Sequence, residues 1–77
     1  MKSDLRPVFG KVLKELRTNK GLTQQRLGDY AGIDRAYISE LERGKLMPSM
    51  ETVFRLAVIL KVKPQQIIEL VYNKLNS

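Results

Sequence analysis

Residues 22–44 read LTQQRLGDYAGIDRAYISELERG, and the punctuation of this stretch decides the fold. Thr23 is placed to cap a helix in which Leu27 and Ala31 fall one turn apart. Gly32 supplies a left-handed turn residue, Ile33 is apolar, and Asp34 is placed to cap a second helix. At about 100° per residue, Ile38 and Leu41 of that second helix point one way. Arg35, Ala36, Ser39, Glu40 and Arg43 fan out on the other side, and Gly44 ends the helix. Two short helices, a tight turn and a polar outer face make a device for reaching into a DNA groove.

Working outward, Phe9, Val12, Leu13 and Leu16 have the spacing of a buried helical stripe that ends near Asn19, Lys20 and Gly21. The opening Met1 to Pro7 is polar and expected to fray, with Pro7 where the first turn of a helix tolerates it. The central pair of helices is predicted at about 24–31 and 35–43. After a connector from Lys45 to Pro48, Ser49 caps a fourth helix with Val53, Leu56, Ala57 and Leu60 on one face. Pro64 suits the first position of a fifth helix, over about 64–76, in which Ile67, Ile68, Val71, Tyr72 and Leu75 form two adjacent apolar stripes. Lys63 is a poor N-cap, so this start is the weakest of the five. No segment alternates as a strand. The fold class is all-α, five short helices around one core, in a single domain over residues 1–77.

Composition narrows the function. The net charge of +6 favours a polyanionic partner. The excess sits at the N-terminal end, where Lys2, Arg6, Lys11, Lys14, Arg17 and Lys20 face only Asp4 and Glu15. A solvated basic face explains the charge equally well until the helix pair is considered. Histidine is absent, which removes the usual general base and the commonest metal ligand. Cysteine is absent too, so no disulfide framework or thiolate metal site is expected, in keeping with a reducing cytoplasm. No apolar run approaches the roughly 20 residues that span a bilayer. These readings predict a cytoplasmic binding protein with no cofactor, no metal and no membrane association, and no enzyme.

The segment TQQRLGDYAGIDRAYISELERGK resembles the helix-turn-helix of the lambdoid phage repressor and Cro-like family, also called the xenobiotic-response-element family. The likeness runs from about residue 6 to 70 and takes in Ser49, Met50, Glu51 and Thr52 with the leucine-rich helix after them. Locally, DRAYISELERG is similar to controller proteins of restriction-modification systems. The resemblance implies a compact repressor-like fold, double-stranded DNA as partner, and a homodimer on a palindromic operator. It also implies an ion pair between Arg17 and Glu42 that positions the reading helix.

Residue roles follow from geometry and resemblance together. Arg35, at the outset of the second helix of the pair, suits a bidentate contact to guanine, a pairing that discriminates by about 1–3 kcal/mol, or a phosphate contact. In similar proteins the positions of Ser39 and Glu40 meet base edges. Glu40 can accept from cytosine or orient a neighbouring arginine, and Ala36 offers a methyl surface for thymine. Thr23, Gln24, Tyr37, Arg43 and Lys45 are the DNA backbone candidates. Each also has a plainer role, as cap, packed aromatic or solvated helix end. Gly28 permits close helix packing at some cost in helix propensity. Ile68, Tyr72 and Leu75 are candidates for a dimer interface.

The leading reading is a transcription regulator that occupies DNA or touches RNA polymerase. The alternative is an antitoxin that binds a toxin protein and autoregulates through the same motif.

Overall fold

The computed structural model describes residues 4–77. Five helices follow in order: α1 (Leu5–Asn19), α2 (Gln24–Ala31), α3 (Arg35–Glu42), α4 (Met50–Leu60) and α5 (Pro64–Leu75). There is no strand among the described residues.

The helix starts are set by side chains that take up orphan backbone N–H groups. Thr23 Oγ1 accepts from Arg26 N at 3.0 Å, Asp34 Oδ1 from Ala36 N at 3.2 Å, and Ser49 Oγ from Thr52 N at 3.1 Å. Two expectations need correction. Asp4 accepts from Arg6 N at 3.1 Å, so α1 begins at Leu5 inside the stretch expected to fray; Met1, Lys2 and Ser3 of that stretch lie outside the described residues. The start of α5 is also better made than its Lys63 implied, because Gln66 reaches back and accepts from Lys63 N at 2.7 Å. One half of a capping box thus replaces the missing cap side chain, and Pro64 at the first position needs no donor.

The ends of α1, α2 and α3 use a left-handed glycine (Gly21, Gly32 and Gly44, φ 71°, 70° and 76°) and α4 closes the same way on Lys61, at φ 59°. In each case the next N–H turns back five residues, as in Ile33 N to Gly28 O at 2.8 Å and Val62 N to Ala57 O at 3.1 Å. Lys61 pays a steric penalty that glycine avoids. Lys61→Gly is therefore expected to stabilise the protein by about 0.5–1 kcal/mol and raise its thermal midpoint by a few degrees. A lowered midpoint on calorimetry would contradict this account of the α4 end.

The helices close into a ring: α1 packs on α3, α3 on α2, α2 on α4, α4 on α5, and α5 on α1. Leu13, Leu27, Ile38, Leu41, Leu56 and Leu60 fill its centre and are fully buried. Each such side chain contributes about 1.5–3 kcal/mol of transfer free energy. Ile38 and Leu41 come from α3, so the ring grips that helix by one side and leaves the opposite side outward.

Candidate nucleic-acid interface

That outward side of α3 carries the residues singled out from the sequence. Arg35 and Ala36 at its start are exposed, and Ser39 and Glu40, one turn on, are half-buried. Arg43 is the C-cap, and its Nη2 donates to Glu40 Oε1 at 2.6 Å across the surface. The arginine that neighbours Glu40 is thus Arg43 rather than Arg35. Tyr37 lies half-buried against the core. Lys45 is exposed just beyond the helix, where its backbone N–H closes α3 on Glu40 O at 3.0 Å.

Behind α3, Arg17 and Glu42 are brought together. Arg17 Nε donates to Glu42 Oε2 at 2.7 Å and Nη2 to Oε1 at 3.0 Å, a two-pronged pair, while Nη1 donates to Leu22 O at 2.8 Å. The side chains are only 11% and 3% exposed. The hydrogen bond to Glu42 raises the Arg17 pKa further above its ordinary value, against a smaller opposing effect of burial. The guanidinium therefore stays charged wherever the protein is folded.

The sequence missed a third member of this cluster. Gln24, the first residue of α2, donates from Nε2 to Glu42 Oε1 at 3.0 Å. One carboxylate thus ties the end of α1, the start of α2 and the end of α3. Thr23, immediately before, has its hydroxyl committed to the cap, which leaves the Gln24 and Gln25 backbone N–H groups at the open end of α2. Gln24 and Glu42 stand 18 residues apart, and no local spacing rule links them.

A second surface is apolar. Ile68 and Tyr72 on α5 are exposed, whereas Leu75 is half-buried. Met47 and Met50 add to it from the connector and α4, and Phe54, one turn beyond Met50 on α4, is 54% exposed like Ile68. A groove of about 190 Å³ lies between the two helices, floored by Phe9, Val53 and Val71 and walled by Met47, Met50 and Ile68. The signal was present in the sequence: Met50, Phe54 and Val58 repeat every four residues, off the Val53, Leu56, Ala57 and Leu60 stripe that enters the core.

Among the described residues no group of His, Cys, Asp or Glu side chains is placed to hold a metal ion. Nor, among them, is any helix long and apolar enough to cross a membrane.

A capped helix, a left-handed glycine turn and a second capped helix held by its apolar side define a helix-turn-helix protein. The chain belongs to the helix-turn-helix family, whose profile matches residues 13–67 and so spans α2, α3 and α4. It is 44% identical over 55 residues to the SPbeta prophage-derived HTH-type transcriptional regulator YonR of Bacillus subtilis, a match covering 71% of this chain and 51% of YonR. It thus spans about half the length of that relative. The restriction-modification controller protein C.AhdI from Aeromonas hydrophila superposes with a TM-score of 0.78 at 41% identity, over 83% of this chain and 96% of that one. The biofilm master regulator SinR, solved in complex with DNA, superposes with a TM-score of 0.75 at 26% identity, over 78% of this chain and 97% of that one. These relatives are regulators, one of them solved on DNA, and the chain falls among helix-turn-helix transcription regulators rather than enzymes.

Proposed function

We propose that the chain is a sequence-specific regulator that binds a palindromic operator as a homodimer in the cytoplasm, in the manner of a restriction-modification controller protein. The observation that carries this reading is the outer side of α3: Arg35 and Ala36 are exposed, no other helix among the described residues covers them, and Ile38 and Leu41 hold the helix from behind. Arg35, Ala36, Ser39 and Glu40 then face base edges in the major groove. Thr23, Gln24, Tyr37 and Lys45 lie along the flanking phosphates, with the start of α2 aimed at one of them. The likeness to SinR, solved on DNA, and to C.AhdI supports the assignment.

The dimer uses the apolar surface of α4 and α5. Ile68 and Tyr72 meet a second copy together with Met47, Met50 and Phe54, and Leu75 contributes from its half-buried position. A two-fold axis there sets the paired α3 helices about 34 Å apart, one turn of DNA. Association also adds core to a chain of 77 residues, which has a thin margin of its own.

Selection of bound duplexes from a random pool, followed by footprinting, tests the reading. The expected product is an inverted repeat with half-site centres one helical turn apart. Affinity for it should fall about a thousandfold between 50 and 200 mM salt, as for proteins with several phosphate contacts. If random DNA competes as well as the selected site and salt has no effect, the proposal is wrong.

A further inference from the structure

We infer that Arg43 is a positioning residue for Glu40 and that the two side chains read one base pair as a unit, an inference that rests on the DNA-binding reading above. By position alone Arg43 is a phosphate contact. The structure also pairs it with Glu40, Nη2 to Oε1 at 2.6 Å, and Glu40 Oε2 has no partner among the described residues.

Three observations give that pair a purpose beyond the fold. Glu40 lies in the last turn of α3, where the negative end of the helix dipole opposes a carboxylate. Exposed ion pairs of this kind contribute little to stability, so the pair does not explain why an acid stands there. Glu42, two residues on, shows what a structural acid looks like in this protein: its side chain is 3% exposed and it accepts three hydrogen bonds.

Glu40 is placed for an outside donor. Ala36, one turn earlier on the same side, raises only a methyl group and leaves the approach open. In the major groove the donors are exocyclic amines, N4 of cytosine or N6 of adenine, and a carboxylate accepts from cytosine N4. A carboxylate between two phosphate strands is repelled unless a cation travels with it, and Arg43 is that cation. Glu40 Oε2 takes the amine, Oε1 keeps Arg43, and a base pair with no amine at that point leaves the acid unmatched.

The test uses the full chain and its selected operator in a double-mutant cycle of wild type, Glu40→Ala, Arg43→Ala and both, read by fluorescence anisotropy. Every operator position is varied in turn, with cytosine and adenine as separate arms, and the salt dependence is measured. Arg43→Ala is expected to weaken operator binding about tenfold in the wild-type background, the size of one base contact, and less than about twofold beside Glu40→Ala. Both single variants should relax the preference at the same symmetric position, Arg43→Lys should restore part of it, and the salt slope should hold. Equal losses in both backgrounds, uniform over all sequences and with the salt slope falling by about one per subunit, would make Arg43 a phosphate contact and overturn the inference. A preference at no position that depends on Glu40 would overturn it too. Failure of the wild-type protein to prefer any duplex sinks the DNA-binding reading itself, before a variant is made.

Discussion

Glu42→Ala is expected to cost about 3–5 kcal/mol of folding stability, the largest effect of any single change outside the apolar core. The carboxylate accepts from Arg17 Nε and Nη2 and from Gln24 Nε2. Without it, a guanidinium whose side chain is 11% exposed keeps only the Leu22 carbonyl. An uncompensated buried charge is far worse than a missing pair. Small domains hold roughly 5–15 kcal/mol in total, so the variant should be partly unfolded at physiological temperature. Denaturant titration followed by circular dichroism measures the loss. The controlling comparison is Arg17→Met with Glu42→Leu, which removes both charges and keeps the volume; it should lie much nearer wild type than either single change. A cost below about 1 kcal/mol for Glu42→Ala would place the pair in the weak class of solvent-exposed bridges.

Gly10→Ala is the second large effect, and its sign runs against propensity. Alanine in a helix interior is favoured over glycine by about 1 kcal/mol. In this protein a β-carbon on Gly10 would stand 2.5 Å from the Leu41 carbonyl oxygen and 2.7 Å from that of Glu42. Both are backbone atoms of the last turn of α3, so no rotamer change relieves the contact, and α1 and α3 must move apart. Overpacking of this kind costs about 1–3 kcal/mol. Because the displaced element is α3, operator affinity should drop along with the melting temperature. Stabilisation by this substitution would show that the two helices are not in close contact at Gly10.

Which parts of this were legible from residues alone follows the range of the forces involved. Thr23, Asp34 and Ser49 announced three helix starts because a cap acts over two or three residues. Gly32 and Gly44 marked ends for the same reason. The polar opening hides a helix start because Asp4 acts as a cap as well as a charge. Lys63 alone marks the α5 start poorly, because the start is set together with Gln66 three residues on. Gly10 carries no local signal, since only a crossing of two helices gives that position its meaning. The Gln24 bond to Glu42 depends on how three helices meet, which no pattern in the chain encodes. The exposed repeat of Met50, Phe54 and Val58 is as periodic as the stripe entering the core, and periodicity alone does not say which of the two a partner covers.

The side chains of Arg35, Ser39 and Glu40 make no hydrogen bond to Arg17, Glu42 or Gln24. The frame that orients α3 and the letters displayed on it are therefore mutationally independent. If those outward residues read DNA as proposed, a lineage can exchange them and acquire a new cognate site while its fold is left intact.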